Sequence, residues 1–166
     1  MAEKLLTAFR FPDGEEKSLR EERDTIAAIA TALGEGGIGI VRISGPEALR
    51  IADSILDRPV SEAAGYTVHY RHVKEQSLIL DEVLVTVFRA PHSFTAEDSV
   101  EINCHGGLYL LQAVLNAVLS AGARMAEPGE FSKRAFLNGR MDLSQAEAVM
   151  DLIQAKNSHA LRAAVN

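Results

Sequence analysis

The chain is poor in what several common functions require. Cys104 is its single cysteine. That excludes an internal disulfide framework and any multi-cysteine zinc site, and it fits a reducing compartment. Basic residues are in the minority, with 17 lysines and arginines against 23 aspartates and glutamates, and no basic stripe breaks the balance. A domain that grips nucleic acid through its phosphates is normally basic, so direct RNA or DNA binding is disfavoured. The most apolar stretch, Leu108 to Leu119, is interrupted by Gln112 and Asn116 and is too short to span a bilayer, so no membrane role is expected. The first residues lack a cationic segment followed by an apolar one, so no secretory signal is expected and the cytoplasm is the expected location.

Certain motifs are missing too. No G-x-x-x-x-G-K-[ST] phosphate loop occurs, so this chain alone is not expected to hydrolyse GTP or ATP by that route. No serine sits in a nucleophile elbow. His69 and His72 lack the spacing that converges metal ligands on one element, so no metal site and no catalytic residue is assigned.

What is present is an α+β pattern. Residues 1–23 are charge-rich around a Pro12-Asp13-Gly14 turn signal, and read as an extension, either mobile or an edge hairpin. Residues 25–33 and 38–44 are β-branched runs joined by the Gly34-Glu35-Gly36-Gly37 turn. A helix is predicted from Pro46 to about Leu56, with Ser44-Gly45 as its cap. Strand-like runs follow at 66–73, 82–90 and 99–104. Residues 108–121 predict an amphipathic helix with Gln112, Asn116 and Ser120 as its wet stripe. A short helix is expected at 129–137, then a long one from Ser144, where Ser144 and Glu147 have capping-box spacing. That helix meets no stop signal before Asn166 and would run roughly 33 Å, so it reads as a helix cut off at its end.

Four constellations invite chemistry. Gly34-Glu35-Gly36-Gly37-Ile38-Gly39 spells a dinucleotide fingerprint, but a strand rather than a helix follows it, so a glycine turn is the better reading. Arg42 alternates with Val41 and Ile43, on the face of Ile40 and Ser44. It is either an edge-facing arginine reaching solvent or a ligand-facing guanidinium. Glu97 and Asp98 read as solvated loop residues, whereas Glu101 stands in a β run beside a Gly-Gly turn, where a carboxylate can accept two parallel N–H bonds. Cys104 and His105 are adjacent on an extended chain and point to opposite faces, so Cys104 reads as a small core residue rather than a nucleophile.

Several segments, in order, carry a resemblance: Asp24 to Ala28, Gly36 to Gly45, Ser93-Phe94-Thr95-Ala96-Glu97-Asp98, Glu101 with His105-Gly106-Gly107, Pro128 to Arg140, and Asp142 to Ala148. Together they resemble the N-terminal part of the MnmE (TrmE) family of tRNA-modification GTPases. The resemblance implies the α+β fold of the tetrahydrofolate-binding domain of aminomethyltransferases, covering residues 24–142, with residues 143–166 as the first helix of a helical domain. It implies a homodimer that binds formyl-tetrahydrofolate. A separate GTPase domain would use GTP, potassium and magnesium. An MnmG-type flavoprotein partner would join in modifying the wobble uridine of tRNA. Carried over by position, the folate contacts fall on Arg42, Glu101 and Arg140. Arg140 stands where a lysine is also found, and Ala96 where glycine is common, which would stiffen that loop. Two other readings accompany this one: a stand-alone one-carbon transferase with Asp98 as its acid or base, and a purely structural dimerisation domain.

Overall fold

The structure, a computed structural model, describes residues 24–32, 36–105 and 107–165. The expected extension at 1–23 and the Gly34-Glu35 part of the first turn lie outside the described residues. The described residues form one six-stranded sheet and four helices, the α+β class expected.

In chain order the elements are β1 (Ile26–Ile29), β2 (Gly39–Ser44), α1 (Ala48–Ile55), β3 (Thr67–Glu75), β4 (Leu78–Phe88), β5 (Ser99–Cys104), α2 (Gly107–Ser120), β6 (Arg124–Met125), α3 (Glu130–Leu137) and α4 (Leu143–Val165). The sheet order is β3-β4-β5-β2-β1-β6. All pairings are antiparallel except β1 with β6.

Period-2 alternation makes the sheet two-faced. Val41, Ile43, Val85, Val87, Val100 and Ile102 are fully buried on one face. They form the core with Leu49, Ile51 and Ile55 of α1 and Leu111, Val114 and Val118 of α2. Burying a side chain of this size contributes about 1.5–3 kcal/mol, so this layer supplies most of what holds the sheet flat against α1 and α2. Gly39 lets α2 come close, because a Cβ there would meet the Leu111 side chain at 2.6 Å. That packing, not a pyrophosphate, accounts for the last glycine of the apparent fingerprint.

Three local expectations need correction, and one strand, β6, is not among those expected. The cap of α1 is not Ser44-Gly45: Thr25 Oγ1 accepts the backbone N–H of Glu47 at 2.8 Å, and the Ser44 hydroxyl is engaged elsewhere. The capping box of α4 lies two residues earlier than Ser144 and Glu147. The Asp142 carboxylate accepts the Gln145 N–H at 2.8 Å, while the Gln145 side-chain oxygen accepts the Asp142 N–H at 3.1 Å. Strand β4 starts at Leu78 rather than 82, closing a tight hairpin in which Gln76 takes φ +56°. Strand β6 is too short, at two residues, to show any period.

Candidate functional site

The uncovered face of the sheet carries the site. Arg42 on β2 and Glu101 on β5 are direct cross-strand partners, in a row that runs Ala28, Arg42, Glu101, Thr86, Val68 across five strands. Arg42 Nε donates to Glu101 Oε1 at 3.0 Å, and Nη2 reaches the same oxygen at 2.9 Å. The two side chains are 24% and 21% exposed, so the pair is partly screened from water but still reachable.

Two rings close over it. The guanidinium carbon of Arg42 lies 5.2 Å from the ring centre of Phe94 and 5.4 Å from that of Phe131, both within cation–π range. Phe94 comes from the loop between β4 and β5, and Phe131 from the first turn of α3. The loop and the helix meet at one place, and a network of charge and hydroxyl groups keeps them there.

Glu97 is the hub of that network, and its burial corrects the expectation of a solvated loop residue. Its Oε2 accepts the Ser44 hydroxyl at 2.7 Å. Arg134 on α3 donates through Nη1 to the same carboxylate and to the Asp24 carbonyl, and through Nη2 to the Asp24 carboxylate at 2.8 Å. Arg124 joins Asp24 to Glu130 from the other side. The Arg124 hydrogen bond is the main reason the Asp24 carboxyl is held below its ordinary range. Burial pushes the Glu130 carboxyl up, but the Arg124 hydrogen bond and the Glu127 N–H more than offset it, so the net shift is downward. Thr95 and Ser99 complete the cluster, and Asn138 ties the end of α3 to the Thr95 carbonyl at 2.8 Å. Among the described residues no buried side-chain nitrogen or oxygen is left without a hydrogen-bond partner.

The remaining sequence candidates are dispersed. Arg140 follows Gly139 just past α3, exposed, and its side chain makes no ion pair or hydrogen bond among the described residues. Asp98 is tied into the loop, accepting the Ala90 N–H at 2.8 Å, with Arg89 3.9 Å away. Cys104 is buried, and burial pushes its thiol up to about 12. His105 turns away from it, its Nδ1 sitting 2.8 Å from the Glu82 carbonyl. Ala96 adopts φ +61°. A separate groove of about 310 Å³ lies between α3 and α4, lined by Pro128, Phe136, Ala146 and Met150 among others, and shares no lining residue with the Arg42 row. No metal-ligating cluster and no helix long and apolar enough to cross a membrane occur among the described residues.

Sequence reasoning missed Phe94, Phe131 and Arg134. All three lie in segments that carry the resemblance without being read as site residues, and Arg134 is also an i,i+4 partner of Glu130 on the predicted short helix.

These observations define an α+β domain whose open sheet face carries a charged pair beneath two aromatic rings. The family model described as "GTP-binding protein TrmE N-terminus" matches residues 25–140, and the chain belongs to that family. It is 59% identical over 146 residues to the tRNA modification GTPase MnmE of Listeria welshimeri, an alignment covering 87% of this chain and 32% of the relative. It is 56% identical over 149 residues to the protein of that name from Bacillus subtilis, covering 86% of this chain and 32% of the relative. The protein of that name from Lactococcus lactis is also 56% identical over 149 residues, covering 89% of this chain and 33% of the relative. The chain thus spans about a third of the length of these curated relatives.

Proposed function

We propose that this chain is the folate-binding and dimer-forming module of a tRNA wobble-uridine modification GTPase, and that Arg42 and Glu101 belong to its formyl-tetrahydrofolate site. The observation that carries the reading is the Arg42–Glu101 pair on the open sheet face beneath Phe94 and Phe131. A pterin presents a 2-amino group beside a ring N–H, and a carboxylate is the natural acceptor for such a pair. The flat pyrimidine half of its ring system suits an aromatic-lined site. The glutamate tail of a folate suits arginines, and Arg140 is an exposed cation available to it. The folate brings the one-carbon unit, while this chain's own residues hold and orient it.

In this reading residues 24–142 form a domain like that of aminomethyltransferases, and α4 opens a helical domain. Exposed Tyr66, Val68, Tyr70 and Leu84 on β3, β4 and the turn before them support a role in dimerisation, since a solvent-facing apolar sheet surface favours self-association. GTP, potassium, magnesium, tRNA and an MnmG-type flavoprotein belong to the whole enzyme. The transferase reading loses support because its one candidate, Asp98, is used in holding the loop.

Calorimetric titration of the purified chain with formyl-tetrahydrofolate, beside Glu101→Ala and with the dimer state followed by sedimentation, tests this. Saturable binding lost in Glu101→Ala supports the module. A folded wild-type dimer that gives no response leaves a structural domain only.

A further inference from the structure

Glu101, Phe94 and Phe131 all meet on the side chain of Arg42. Its guanidinium is planar and delocalised, and it offers Glu101 two N–H groups, from Nε at 3.0 Å and Nη2 at 2.9 Å. Both Phe94 and Phe131 face that plane's central carbon. A heterocycle with an amino group beside a ring N–H offers the same two donors from the same kind of plane. Both Arg42 nitrogens fall on Oε1, so a heterocycle that needs both carboxylate oxygens finds one of them already taken.

We propose that Arg42 holds the place of the ligand's own donor edge, so that it must swing off Glu101 before a pterin can dock, and that Phe94 and Phe131 are the walls against which the planar pyrimidine half of the pterin lies. The proposal rests on the folate reading above. Release breaks a part-buried ion pair and the contacts of the guanidinium with Phe94 and Phe131, a cost that the docked ring has to offset by taking over both. The long stem of Arg42 keeps its cation at the rim of the site, where it can meet a carboxylate tail. Arg42 therefore acts in two opposite ways. It competes with the ring and attracts the tail. Specificity follows, since a pterin without a tail bears the competition and gains nothing in return.

The test compares two ligands on the same chain: formyl-tetrahydrofolate, and a formyl-tetrahydropterin, called pterin below, which has the same reduced ring but no tail. Arg42→Ala is expected to bind pterin about five- to tenfold more tightly than the wild type while binding formyl-tetrahydrofolate more weakly. Arg42→Lys cannot set two nitrogens of one plane on Glu101, so it should also gain pterin affinity while keeping more of the folate affinity. It guards against a poorly folded alanine variant, and a melting curve accompanies each protein. Phe94→Leu and Phe131→Leu should weaken both ligands about three- to tenfold.

If formyl-tetrahydrofolate binds through Glu101 but neither Arg42 variant gains pterin affinity, the competition is overturned and the folate reading stands. If formyl-tetrahydrofolate fails to bind, or Glu101→Ala binds it as well as wild type, both fall together.

Discussion

Arg134 donates through a single nitrogen, Nη1, to both carboxylate oxygens of Glu97, at 3.3 and 3.2 Å, across 37 residues of sequence. The two side chains are 12% and 9% exposed. This contact joins α3 to the loop before β5, and so brings the element carrying Phe131 to the element carrying Phe94. Neither ring lies in the sheet, and the geometry over Arg42 depends on the join.

Removing one partner of a buried pair strands the other, which typically costs about 3–5 kcal/mol. Arg134→Met is therefore expected to lower stability by about that amount, because buried Glu97 loses its cation and Asp24 keeps only Arg124. Glu97→Gln should cost less, since an amide can still bond Ser44. Urea unfolding of the three proteins decides it, and equal midpoints would remove Arg134 from the framework.

Ala96 occupies the left-handed region at φ +61°, where a Cβ costs about 1–2 kcal/mol. The conformation is imposed by the turn between Phe94 and Glu97, whose neighbours Thr95 and Glu97 are both buried. Ala96→Gly relieves that cost but adds unfolded-chain entropy. A net gain of roughly 0.5–1 kcal/mol is expected, read as a higher melting temperature. A loss would show that the turn tolerates the methyl group without strain.

Asp57 should shape the acid limb of the stability curve. The backbone N–H of His72 bonds its carboxylate at 2.9 Å and the imidazole adds a second contact, holding its pKa at about 2 against an ordinary 3.8. The group thus binds protons more weakly folded than unfolded. Its contribution is complete above about pH 4 and disappears as the pH falls through 2. Asp57→Ala should flatten stability between those values, and denaturation at pH 3 and pH 6 measures the difference. An unchanged slope would assign the acid limb to other carboxylates.

Cys104 offers a probe of unfolding. Its thiol is 1% exposed and its pKa is pushed up to about 12, so at pH 8 it carries almost no thiolate. A chromogenic disulfide reagent should label it only at the rate at which β5 opens, and fully in urea. Prompt labelling of the folded chain would contradict the buried position.

The fold was legible where the signal is local. Val83, Val85 and Val87 alternate in sequence and are all buried on the helix side. The same alternation placed Arg42 on the face of Ser44, away from Val41 and Ile43, as the sheet has it. The start of β4 was not legible, because the turn before it uses Gln76 at φ +56° rather than the Asn-Gly that normally marks a two-residue hairpin. The capping box of α4 was misplaced because Asp142 and Gln145 and the Ser144–Glu147 pair have the same spacing, and only the hydrogen bonds distinguish them.

The sequence by itself determined which residues could form strands and helices, and which face of each strand would be apolar. It also put an arginine and a glutamate inside two of those strands. Those are consequences of a backbone that turns every 3.6 residues or alternates every two. Only the tertiary structure decided that β2 and β5 are neighbours, so that Arg42 faces Glu101 across 59 residues. It alone decided that Arg134 would reach Asp24 across 110 and bring Phe131 to Phe94. No short period records such meetings. They follow from strand order and from buried charges finding their partners, and both are settled only when the whole chain has packed.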